Sequence, residues 1–66
     1  MVLNKITLPV ARKIAGLTQK DLAAACKVSE ATISNWERGK TEPTISQAEI
    51  AAAACGFSYD DIKFLP

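Results

Sequence analysis

At 66 residues the chain can bury one marginal hydrophobic core, which leaves no room within it for a catalytic or ligand-sensing domain beside one small fold. Its formal net charge is only +1, yet residues 1–40 carry seven Lys or Arg against three acids, and residues 41–66 one Lys against four, so a basic front meets an acidic back. Two cysteines and no histidine supply neither the usual zinc ligands nor a base for a thiol nucleophile, and no apolar run is long enough to span a membrane.

In chain order, Val2, Leu3, Ile6 and Leu8 near the start, and Ile62, Phe64 and Leu65 near the end, alternate enough to predict two short strands that pair. Pro9 suits the first turn of a short helix to Ala15, closed by Gly16, with Val10, Ala11 and Ile14 directed inward. Thr18 is an N-cap, and Asp21 an acid suited to the positive end of the helix from Gln19 to Cys26, whose inward stripe is Leu22, Ala23 and Cys26. Lys27 and Val28 break the pattern. Ser29 then caps a second helix from Glu30 to Arg38, which Gly39 ends in the position favoured for a left-handed cap. Two helices joined by about three residues form a helix-turn-helix unit over residues 18–38, of a size that enters the DNA major groove.

Further on, Thr44 caps a helix from Ile45 to Cys55 that Gly56 stops, with Ile45, Ala48, Ala51, Ala52 and Cys55 on its inward face and Ile50 off it. Ser58 caps a last short turn over Tyr59 to Ile62, where Asp60 and Asp61 read as first-turn acids rather than as a metal pair. Cys26 and Cys55 occupy apolar positions of separate helices and read as buried small hydrophobes without a disulfide.

On the second helix, at about 100° per residue, Ile33 and Trp36 share the inner arc while Glu30, Ala31, Ser34, Asn35 and Arg38 fall on one outer arc. A carboxylate, a hydroxyl, an amide and a guanidinium within two turns have the geometry for base edges and phosphates, although any amphipathic helix also presents a polar side to water.

L-T-Q at 17 to 19, L-A at 22 and 23, V-S at 28 and 29, I-S-x-W-E-x-G-K-T from Ile33 to Thr41, and Pro43 together resemble the lambdoid repressor and Cro family of XRE-type helix-turn-helix regulators. The resemblance covers about residues 10 to 58, including C-G-F-S, where the family usually has L-G-V-S. The chain ends resemble those of short phage and prophage regulators. The resemblance implies an all-α, five-helix, lambda-repressor-like DNA-binding domain filling residues 1–66, with the short paired terminal strands added.

Residue by residue, it implies that Gln19 holds a phosphate together with the helix N-terminus, with Lys20 beside it. Ser29, Glu30, Ala31 and Asn35 match base-reading positions, and Ser34 lies on the same arc. Arg38, Lys40 and Thr41 match the phosphate-contacting segment, and Arg12 and Glu37 match an internal ion pair. Glu30 departs from the family, where glutamine is common; a carboxylate can accept from cytosine N4 or act through water. Ala31 could touch only a thymine methyl, which leaves Asn35 as the adenine reader.

The expected function is therefore that of a non-enzymatic, cytoplasmic, Cro- or repressor-like transcriptional regulator of double-stranded operator DNA, without cofactor, metal, membrane or small-molecule ligand. It would act as a two-fold dimer on half-sites about one helical turn apart. Phe64 and Leu65, beyond the motif and without an evident core slot, are the expected dimer contacts. The alternatives are a non-catalytic protein-interaction module, or an antitoxin or restriction-control regulator built on the same fold.

Overall fold

Thr18, Ser29 and Thr44 each begin a helix by the same chemistry, a hydroxyl that accepts from a backbone N–H three residues on. The bonds run from Asp21 N to Thr18 Oγ1 (3.0 Å), Thr32 N to Ser29 Oγ (3.1 Å) and Gln47 N to Thr44 Oγ1 (3.1 Å). At two of these caps the third helical residue answers. Asp21 Oδ2 accepts from Thr18 N at 3.0 Å and Gln47 Oε1 from Thr44 N at 2.9 Å, closing two capping boxes.

The computed structural model describes residues 5–64. They form strand β1 (Ile6–Thr7), helices α1 (Leu8–Ile14), α2 (Gln19–Cys26), α3 (Glu30–Glu37) and α4 (Ile45–Ala54), a one-turn 3-10 helix (Tyr59–Asp61) and strand β2 (Ile62–Lys63). β1 and β2 pair in parallel, Ile6 opposite Ile62 and Thr7 opposite Lys63. α2 packs against both α3 and α4, and Leu22 of α2 and Ile33 of α3 lie fully buried at the centre. Trp36, Ala51, Ala52, Cys26, Cys55, Leu8 and Ile62 close around them.

Five helices were expected, but the described residues form four α-helices, and the expected fifth helix is a single 3-10 turn. Its brevity has a local cause. Ile62 N–H closes the turn on Tyr59 O, and Ile62 then adopts an extended backbone (φ −115°, ψ 135°) that pairs it with Ile6 and buries its side chain. The fold is thus helical with a small parallel strand pair. Val2, Leu3 and Leu65, assigned to strands or to a subunit contact, lie outside the described residues.

Three inward assignments are overturned. Val10 is 44% and Ile14 65% exposed, because α1 turns Leu8, Ala11 and Arg12 toward the core. From Leu8, Val10 and Ile14 lie about 200° and 240° around the helix, so an α1 that brings Arg12 inward must turn both outward. Ile45 is 68% exposed. As the first residue of α4 it overhangs the body that covers Ala48, Ala51 and Ala52 one and two turns later.

Candidate nucleic-acid interface

The turn between α2 and α3 is made by Lys27, Val28 and Ser29. Lys27 takes the left-handed conformation (φ 58°, ψ 43°), and Val28 N–H reaches back to Ala23 O at 3.0 Å, satisfying a carbonyl at the end of α2. Val28 is half-buried against the core, which fixes the angle at which α3 leaves the turn.

Ile33 and Trp36 hold the inner side of α3, with 0% and 6% of their surface exposed. Of the outer arc, Glu30, Ala31 and Arg38 are exposed, and Ser34 and Asn35 half-buried. Ser29 is exposed, and its hydroxyl caps α3 by accepting from Thr32 N while sharing a hydrogen bond with Thr32 Oγ1 (2.9 Å). At the far end Gly39 supplies a positive φ of 75°, and Lys40 N–H closes on Asn35 O at 2.9 Å. That closure folds Lys40 back directly beyond α3, beside Arg38. Lys20, Lys40 and Thr41 are exposed.

Behind this surface, Arg12 Nε donates to Glu37 Oε2 at 2.7 Å and its Nη2 to Glu37 Oε1 at 3.4 Å, while Nη1 donates to Leu17 O at 2.9 Å. The two side chains are only 13% and 7% exposed, so the pair ties α1 to the end of α3 in a medium that screens it poorly. Gln19 Nε2 also donates to Glu37 Oε1, at 2.9 Å. One N–H of the Gln19 amide is thereby committed inward, and among the described residues the other has no partner. Sequence reasoning paired Arg12 with Glu37 but missed Gln19 as the third member, because positions 19 and 37 meet only when α2 and α3 are folded together.

Hydrogen bonding from Thr18, the backbone N–H foremost, holds the Asp21 carboxyl below the usual carboxylate range, so the acid end of the α2 cap stays ionised. Cys26 and Cys55 are free and buried, and burial pushes both thiols up. Among the described residues no group of three His, Cys, Asp or Glu could hold a metal ion, and no helix is long and apolar enough to cross a membrane.

Phe64, expected to lack a core slot, has one. It packs half-buried against the core and stacks on Tyr59 with ring centroids 5.8 Å apart and planes 17° apart. The two rings, with Pro43, Ile45 and Ala48, line a hollow of about 310 Å³ whose rim carries Lys5, Glu42 and Lys63.

A helix-turn-helix family model matches residues 10–62, from α1 into β2. No curated protein and no solved structure matches the chain.

Proposed function

The chain belongs to the helix-turn-helix family, whose members are DNA-binding regulators, and from that premise we propose that it is a Cro- or repressor-like regulator acting by operator occupancy. The observation that carries this reading is the outer arc of α3. Glu30, Ala31, Ser34 and Asn35 face away from the core on a helix anchored by Ile33 and Trp36, with the cations Arg38 and Lys40 directly beyond. Bases would be read by Asn35 above all, with Glu30, Ala31, Ser34 and Ser29 around it. Phosphates would be met by Gln19 and Lys20 on one flank and by Arg38, Lys40 and Thr41 on the other.

In this reading residues 1–66 act as one non-enzymatic DNA-binding domain, without cofactor or small-molecule ligand, in the cytoplasm. A monomer offers few phosphate contacts, too few for tight operator binding at physiological salt. A two-fold dimer supplies twice as many, and the exposed apolar surface of Ile45 and Tyr59 beside Phe64 is suited to the subunit contact. The test is selection of duplexes from a random pool by the purified chain. The expected product is an inverted repeat with half-sites about one helical turn apart. Retention without sequence enrichment would remove the operator reading, and failure to retain any duplex would favour an interaction module.

A further inference from the structure

A second hollow, of about 270 Å³, opens where the end of α3 meets the strand pair, and its lining includes Thr7, Trp36, Glu37, Arg38, Gly39 and Lys63. Glu37 brings no free negative charge to it, since both its oxygens are taken by Arg12 and Gln19. The cations on its lining are Arg38 and Lys63. Among the described residues the single ion pair is Arg12 with Glu37, so neither cation has a described carboxylate within 4.0 Å, even though Lys63 also borders the neighbouring hollow that holds Glu42.

Thr7 adds a hydroxyl. It stands opposite Lys63 in the parallel register, both residues are exposed, and its side chain makes no capping bond to α1. One hydroxyl, one planar guanidinium and one flexible ammonium, carried by residues that line one open hollow, are the groups that bind a phosphate oxyanion.

We propose that Thr7, Arg38 and Lys63 form a phosphate-binding site, which extends the DNA-facing surface from the end of α3 onto the strand pair and holds a backbone phosphodiester. The inference rests on the DNA-binding reading and adds to it Thr7 and Lys63, which the motif does not contain. Lys63 follows Lys40 by more than twenty residues, and the pairing of β2 with β1 puts it on a hollow that Arg38 also lines. The charge division along the sequence hid it too, because Lys63 is the single cation of the acidic half.

The experiment titrates the full chain, its Lys63→Ala, Lys63→Arg and Thr7→Val variants against the selected duplex and a random one at several salt concentrations. Lys63→Ala should lower the salt slope by about one per subunit and weaken both duplexes equally, roughly fivefold per subunit near 0.15 M salt, since one counterion release is lost in each. Lys63→Arg should keep the slope. Thr7→Val should weaken both duplexes without altering it, and thermal midpoints should be unchanged because both residues are exposed. A wild-type chain that binds DNA while Lys63→Ala keeps its slope and affinity would overturn this site alone. A wild type that binds no duplex would take the DNA-binding reading down with it. Saturable binding of inorganic phosphate at these residues, at concentrations where the duplex does not compete, would reassign the site to a free anion and overturn the proposal.

Discussion

Gln19 Nε2 donates to Glu37 Oε1 at 2.9 Å, so the carboxylate that neutralises Arg12 also orients the first residue of α2. Three elements thus meet on one side chain, α1 through Arg12, α2 through Gln19 and α3 through Glu37. Removing one partner leaves the other charge poorly solvated. Glu37→Ala should cost about 3 kcal/mol, below the upper end for fully buried pairs because both side chains keep some solvent contact. Replacing Arg12 and Glu37 together by leucine should cost clearly less than the two single replacements summed. Urea denaturation of the wild type, the two single leucine variants and the double leucine variant checks this, and simple additivity would show that the pair contributes no coupling.

Lys27 occupies the left-handed region at the turn without being glycine. For a residue with a side chain that conformation costs roughly 1–2 kcal/mol, part of which glycine gives back through its looser unfolded state. Lys27→Gly should therefore raise stability by about 0.5–1 kcal/mol. Lys27→Ala, which keeps the strain and removes the same charge, should leave stability nearly unchanged. Thermal unfolding of both variants decides the matter, and equal midpoints would remove the strain.

The helix-turn-helix unit was legible because its signals are local. Thr18, Asp21, Ser29 and Gly39 act within one turn of themselves, and α2 begins and ends where the sequence places it. The orientation of α1 was not legible. Reading Val10 and Ile14 as inward obeyed hydrophobicity, whereas the observed face is set by Arg12 reaching Glu37 on another helix. The two expectations were geometrically incompatible, since Arg12 and Ile14 lie about 200° apart on one helix. Phe64 escaped for a similar reason, its slot being built by Tyr59 and the strand pair rather than by its neighbours in sequence. The outer arc of α3 was legible as a face, because Ile33 and Trp36 mark the buried side within the helix itself.

Two limbs of the pH profile follow from named groups. Asp21 has its native pKa depressed, so its contribution to stability is present above the ordinary carboxylate value and is lost as pH falls through the native one. The thiols of Cys26 and Cys55 have native pKa values raised, so their contribution is full below the ordinary thiol value and is lost as pH rises past it. Asp21→Asn should flatten the acid limb of a stability-versus-pH curve, and Cys55→Ala the alkaline limb. Unaltered slopes in the variants would assign those limbs to other groups.

Self-association is best probed away from Phe64, whose replacement would also disturb the core against which it packs. Ile45 borders the same hollow yet is mostly exposed. Ile45→Glu should keep the helical content and the thermal midpoint of the monomer while weakening dimer formation and operator binding together. Sedimentation at several concentrations, free and on DNA, measures the first effect. A wild type that stays monomeric even on its selected duplex would remove the dimer.

Reading and positioning should separate in the variants of Asn35 and Lys40. Asn35 stands half-buried on the outer arc of α3 with a side-chain amide able to make a bidentate contact to adenine, while its own carbonyl already accepts from Lys40 N–H. Lys40, exposed just past the helix, has reach for a phosphate and carries no sequence information. Asn35→Ala should lose roughly 1–3 kcal/mol on the selected site and almost nothing on random duplex. Lys40→Ala should weaken both and lower the salt slope by about one per subunit. Titrations of each variant on both duplexes across a salt series provide the comparison. Equal losses for Asn35→Ala on the two duplexes would take it out of the readers, and the other polar groups of the arc, Glu30, Ser34 and Arg38, would then have to carry the specificity.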